Sequence, residues 1–176
     1  YESMHSDSLR ASNMENYDGR GFSLDRDGIQ RIQKNRDPYL LIDHVEEVVP
    51  GVSARGYKDL GEDTWFFSVH WPGDPNMPGL LQIESLVQMA ALTVLTLPDH
   101  KGEVVYLTEV SKARFHRKIV PGDRLQLDTE LVSFRRGIGK CIGRGSVLGS
   151  KACHAEFGIV LSSVVSEYAE ARMRRG

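Results

Sequence analysis

Cysteine is scarce in this chain of 176 residues. Cys141 and Cys153 fit no CxxC or zinc-ligand spacing, so neither a disulfide scaffold nor a structural zinc site organises the fold. A hairpin turning at Gly149-Ser150 sets Cys153 opposite Ser146 and Cys141 opposite Gly158. The two are then not partners, and they read as reduced, buried thiols of a cytoplasmic protein. An excess of positive charge is missing too. The 22 Lys and Arg against 24 Asp and Glu give a net charge of −2, which leaves no nucleic-acid footprint. No apolar run is long enough to span a bilayer, because the most apolar segment, 80–97, is interrupted by Gln82, Glu84 and Gln88. The N-terminal region lacks the apolar stretch of a signal peptide. His44, His100, His116 and His154 are scattered without metal-ligand spacing, so no metal is expected.

What is present amounts to one domain with enough chain to bury a core. Residues 1–24 are rich in Ser, Asn, Asp, Gly and Met without a sustained period, and read as a disordered or tag-derived arm. The chain starts at Tyr rather than Met, as a processed, tagged or excised chain would. A single domain is expected over 25–166, followed by a charged tail, 167–176, that forms a short helix or frays. Asp25 or Asp27 caps a short helix running through Gln33, with Ile29 and Ile32 inward and Pro38 as its stop. Segments 40–49 and 52–59 read as strands broken at Pro50-Gly51, and Trp65-Phe66-Phe67 as core aromatics. After a helix at about residues 80–97, strands are expected over 103–119 and 124–134, then a hairpin of 140–148 with 151–164. The result is an α+β domain, a helix buried against an antiparallel sheet.

The stretch from His70 to Ala91 dominates the rest. Pro72, Gly73, Pro75, Pro78 and Gly79 rule out a helix or a central strand over its first half. The second half turns helical at once, and the face centred on Glu84 carries Leu80, Leu81, Val87, Gln88, Ala91 and Leu95. A carboxylate inside an apolar stripe costs roughly several kcal/mol unless partnered, and Gln88 stands one turn away to partner it. Histidine as a residue type suits proton transfer near neutral pH, and a carboxyl in apolar surroundings is pushed toward that range. Gly79 lies at the helix N-terminus, where free N–H groups can polarise a carbonyl oxygen. A base, an acid and an oxyanion-type donor so close together point to chemistry beside a carbonyl. Taken singly, each residue has a plainer reading: a structural histidine, an acid favoured by the helix dipole, a structural partner at Gln88 and a turn glycine.

The loop reads His-aromatic-Pro-Gly-x-Pro-x-Met-Pro-Gly, with Glu84 and Gln88 behind it. It resembles the signature of the 3-hydroxyacyl-acyl-carrier-protein dehydratases, the FabZ and FabA types of the hotdog superfamily. Asp37-Pro38-Tyr39-Leu40-Leu41-Ile42-Asp43 and Lys112-Ala113-Arg114-Phe115 through Val120-Pro121-Gly122-Asp123 resemble flanking segments of that family. The resemblance implies a hotdog fold, an antiparallel sheet wrapped around the central helix. It implies reversible loss of water from a (3R)-3-hydroxyacyl thioester of the acyl carrier protein, giving the trans-2-enoyl thioester, in fatty-acid or related lipid or polyketide biosynthesis. His70 would be the base, Glu84 the acid, Gly79 the carbonyl-polarising amide and Gln88 the group that orients Glu84, with no cofactor. It also implies a homodimer in which His70 of one subunit faces Glu84 of the other, with a hexamer, a trimer of dimers, as the expected assembly. The acidic carrier protein would dock on basic residues, with Arg135 and Arg136 the expected pair.

Glu at position 84 resembles the FabZ branch. Val69, Trp71, Asn76 and Asn35 depart from the usual pattern and suggest a specialised member. Two alternatives stand beside this reading: an acyl-binding or scaffolding hotdog without turnover, and a hotdog thioesterase.

Overall fold

A computed structural model describes residues 19–174 of the chain. Asp25 caps the first helix: its carboxylate accepts from the Gly28 N–H at 2.7 Å, and α1 (Arg26–Ile32) follows with Ile29 buried. Just before it, β1 (Phe22–Leu24) pairs with β2 (His44–Val49). The ordered fold thus reaches into the segment expected to be an arm, because Phe22 and Leu24 pack against the core. Residues 1–18 of that arm lie outside the described residues, as do 175 and 176 of the tail. The helix stops at Ile32, short of Pro38, once Gln33 turns extended.

The remaining strands are β3 (Ser53–Asp59), β4 (Val105–Phe115), β5 (Arg124–Arg135), β6 (Ile138–Val147) and β7 (Ser150–Leu161). They form one antiparallel sheet in the order β1-β2-β3-β5-β6-β7-β4. The central helix α2 (Gly79–Leu95) packs on β3, β5, β6 and β7. This is the hotdog architecture. Every residue of α2 from Ser85 to Leu95 is buried, more than a one-faced stripe predicts, because the curved sheet encloses the helix on several sides. The helix tolerates buried hydroxyls because they bond within it: Ser85 to the Leu81 carbonyl (2.9 Å), Thr93 to Ala90 (2.6 Å) and Thr96 to Leu92 (2.6 Å). Phe66 and Phe67 are buried as expected, whereas Trp65 stays partly exposed and donates its indole N–H to the Pro38 carbonyl.

The β6–β7 hairpin is shifted by one residue from the expected register. Val147 pairs with Ser150, and the turn residues are Leu148 (φ 49°) and Gly149 (φ 76°), both left-handed as a two-residue type I′ turn requires. A register shift between Gly145 and Ser146 then sets Cys153 opposite Gly145 and Cys141 opposite Phe157. The cysteines are free, and burial pushes their thiols up to about 12 for Cys141 and about 11 for Cys153, so neither is a reactive thiolate at neutral pH. After β7 the chain forms α3 (Ser162–Met173), whose start is held by the Glu103 carboxylate accepting from the Ser163 N–H.

Gly56 shows how tightly the sheet is packed. A Cβ there would lie 2.0 Å from the His44 carbonyl oxygen and 2.8 Å from the Val45 Cα, at the bulged pairing of β2 with β3. Backbone on the opposing strand cannot step aside as a side chain can. Gly56→Ala is expected to destabilise the fold by about 3 kcal/mol, read from a lowered urea midpoint.

Candidate active site

The loop before α2 is built by its own main chain. His70 N–H bonds the Phe66 carbonyl (2.7 Å), Asp74 N–H bonds Trp71 (2.9 Å), and Met77 N–H bonds Ile119 (2.8 Å). The Asn76 amide donates to the Asp74 carbonyl (2.9 Å), and Lys118 pairs with Asp74. Within this frame His70 Nδ1 lies 2.8 Å from the Asn76 carbonyl oxygen. A carbonyl oxygen only accepts, so in the neutral imidazole Nδ1 carries the proton and Nε2 is left as the basic nitrogen. Trp71, in a left-handed conformation (φ 58°), stacks on the His70 ring at 5.1 Å between centroids. Two contacts thus fix the ring.

Pro78 is the N-cap of α2 and has no side-chain hydrogen bond to give. The first N–H groups of the helix are therefore left without a capping side chain, at the end where the helix dipole favours developing negative charge. Gly79 is the first residue of that helix. A Cβ at Gly79 would meet the Phe115 ring at 3.0 Å, so its backbone runs close to the outer end of an aromatic ring.

Glu84 is half-buried one turn further in, and burial pushes its carboxyl above the usual carboxylate range, against the opposing hydrogen bond from Gln88. Gln88 is fully engaged. Its Nε2 donates to Glu84 Oε1 (3.0 Å) and to the Tyr39 carbonyl (2.9 Å), while its Oε1 accepts from the Leu41 N–H (2.8 Å). The side chain that holds the acid is thus itself held by the main chain of Tyr39 and Leu41. Gln88→Leu would strand that N–H and that carbonyl and free Glu84 to rotate. The expected cost is about 3 kcal/mol of stability in denaturant titration, with kcat lowered about tenfold or more.

Glu84 and Gln88 line a cavity of about 250 Å³ with Val87, Ala91 and Leu95. The expected apolar stripe around Glu84 is thus the cavity wall over its inner turns, while Leu80 at its outer end stays exposed. His70 and Gly79 do not line this cavity within one chain. Arg135 and Arg136 are exposed at the turn between β5 and β6, where Arg136 (φ 52°) and Gly137 (φ 75°) are left-handed. They too stand outside the cavity wall.

Sequence reasoning overlooked two groups. Tyr39 comes near enough to Glu84 that burial, and then the Glu84 charge, push its phenol up. Gln33 lines the cavity from the end of α1. Tyr39 lay within a segment already singled out. Gln33 carried no local signal, since nothing in its neighbourhood reveals that the chain folds it onto the cavity that Glu84 lines.

A sheet wrapped around a buried helix, with a polarised acid in a cavity along that helix, defines a hotdog-fold protein with an acidic site. A sequence model of the FabA-like domain matches residues 34–156. The chain is 45% identical to "3-hydroxyacyl-[acyl-carrier-protein] dehydratase FabZ" of Clostridium novyi (strain NT), over 73% of this chain and 90% of that protein. It is 42% identical to the protein of the same name from Chloroflexus aggregans (strain MD-66 / DSM 9485), over 73% and 89%. Among solved structures, the dehydratase heterocomplex ApeI:P from Xenorhabdus doucetiae shares the fold, with a TM-score of 0.65 and 16% identity over 75% of this chain and 89% of that one. The chain belongs to the FabA-like family of dehydratases, in its FabZ branch.

Proposed function

We propose that the protein is a hydro-lyase that interconverts (3R)-3-hydroxyacyl and trans-2-enoyl thioesters of the acyl carrier protein in fatty-acid or related lipid or polyketide biosynthesis, with His70 as base and Glu84 as acid. The observation that carries this is Glu84: a carboxyl raised by burial, oriented by Gln88 and set in the wall of an acyl-sized cavity. In the dehydration direction, His70 Nε2 takes the C2 proton, and the Gly79 amide stabilises the charge that develops on the thioester oxygen. The C2=C3 double bond forms as the C3–O bond breaks, and the hydroxyl leaves as water with the Glu84 proton. Gln88 keeps the carboxyl facing the cavity.

The two catalytic groups come from different subunits in this reading. Strand β4 is an eleven-residue edge strand whose outer side has no partner strand among the described residues, with Tyr106, Leu107, Val110 and Phe115 exposed along it. A long apolar edge is a template for pairing with another chain. Val69, Trp71 and Leu80, exposed around His70 and Gly79, extend the apolar surface. Covering it with a second copy would bring His70 to the partner's cavity; a hexamer would stack three such dimers.

Carrier docking is assigned to Arg135 and Arg136. Exchanging both for Glu should raise KM several-fold for the carrier-borne substrate and leave a short coenzyme A thioester unaffected. Equal effects on both substrates would refute the assignment. The activity itself is tested with crotonyl and 3-hydroxybutyryl thioesters, following enoyl absorbance and product mass. Interconversion is expected; release of free thiol would indicate a thioesterase, and no turnover would leave an acyl-binding protein.

A further inference from the structure

The cavity beside Glu84 has two unlike walls. One is apolar, formed by Val87, Ala91 and Leu95 of α2 together with Val104, Val105 and Leu107. The other is polar, formed where the chain leaves α1 through Gln33, Lys34 and Asn35. Gln33 is 3% exposed, and its amide nitrogen has no hydrogen-bond acceptor among the described residues. Its main chain is fixed, since its N–H bonds the Ile29 carbonyl at 3.0 Å and its own carbonyl accepts from Arg36 at 2.8 Å. Of the other polar groups on the wall, the Gln88, Glu84 and Glu103 side chains are engaged. Gln88 makes three hydrogen bonds, Glu84 accepts one of them, and Glu103 accepts from Ser163 and His100.

An unpartnered buried amide costs about 1–3 kcal/mol, and an apolar side chain at the same place would cost nothing of the kind. The terminal torsion of glutamine is soft, so a turn of the amide presents its nitrogen to the cavity. The helix face from Glu84 to Leu95 runs roughly 16 Å at 1.5 Å per residue, ample for acyl carbons beyond the reacting pair.

We propose that Gln33 is a specificity-determining residue: its amide donates a hydrogen bond to an acceptor oxygen carried on the acyl chain beyond C3, so the cavity prefers oxygenated 3-hydroxyacyl thioesters over plain alkyl ones. The inference rests on the dehydratase reading above and names its substrate class. A plain alkyl chain leaves the Gln33 amide without an acceptor. An oxygen-bearing chain satisfies it, and a site built around such a bond discriminates against the analogue that lacks the oxygen.

The test uses pairs of 3-hydroxyacyl thioesters matched in chain length, one plain and one bearing a carbonyl oxygen on a distal carbon. The wild-type chain should show kcat/KM at least about tenfold higher for the oxygenated member. Gln33→Met keeps the bulk without the donor and should bring the ratio to unity or below. Gln33→Leu gives the same reading should the Met variant fold poorly. Wild-type turnover of both members at equal kcat/KM would overturn the inference while leaving the dehydratase reading intact. So would a preference that survives both substitutions. No turnover of either member, or of 3-hydroxybutyryl thioester, would instead overturn the dehydratase reading beneath it.

Discussion

Glu84→Gln is expected to lower kcat about 10³-fold while raising the melting temperature at neutral pH. The two effects have one origin. Burial raises the Glu84 carboxyl above its value in the unfolded chain, so the folded state holds that proton more tightly. The linked stability is complete below the unfolded pKa, near 4.5, and is lost as pH rises through the elevated folded value. At neutral pH the wild-type protein therefore carries the penalty of a half-buried carboxylate, which an uncharged amide avoids. Gln at position 84 can still accept the hydrogen bond from Gln88, so the local geometry is kept and only the proton is lost. Thermal melts across the pH range should show the variant's advantage shrinking as pH falls and vanishing below about pH 4.5. An advantage independent of pH would mean that packing, not ionisation, sets it.

His70→Asn is expected to cost about 10²–10⁴ in kcat with little change in stability. An Asn amide can donate to the Asn76 carbonyl in place of Nδ1, so the loop keeps its hydrogen bond. What disappears is Nε2, the nitrogen assigned to the C2 proton. The loss should fall on kcat rather than KM, because the ring contributes to proton transfer rather than to holding the acyl chain. A protein that turns over normally with Asn at position 70 would need its base elsewhere.

The loop and helix of the site could be read from the chain because their signals are local. Prolines and glycines cannot propagate regular structure, and the polar Glu84–Gln88 pair on an otherwise apolar helix marks itself. The full enclosure of α2 could not, since apolar spacing reports the helix period and not how many sides the sheet covers. The β6–β7 register slipped by one because Leu148 adopts a left-handed conformation that its side chain disfavours, so the glycine beside it drew the expected turn one place along. Phe22–Leu24 read as part of the arm because a three-residue strand lacks enough alternation to show itself. Gln33 escaped because its burial depends on contacts distant in sequence. The exposed apolar face of β4 resembles any half-buried strand until the sheet order places it at an edge.

The central claim, that two subunits share each site through His70 and Glu84, is tested most directly by mixing two inactive chains. His70→Asn and Glu84→Gln proteins would be unfolded together, refolded and assayed beside each parent. Half of the randomly formed dimers are mixed, and each mixed dimer rebuilds one of its two sites, so about a quarter of wild-type activity should return. No recovery, with mixed dimers demonstrated by a size tag on one parent, would mean that both groups act within a single chain and would contradict the account.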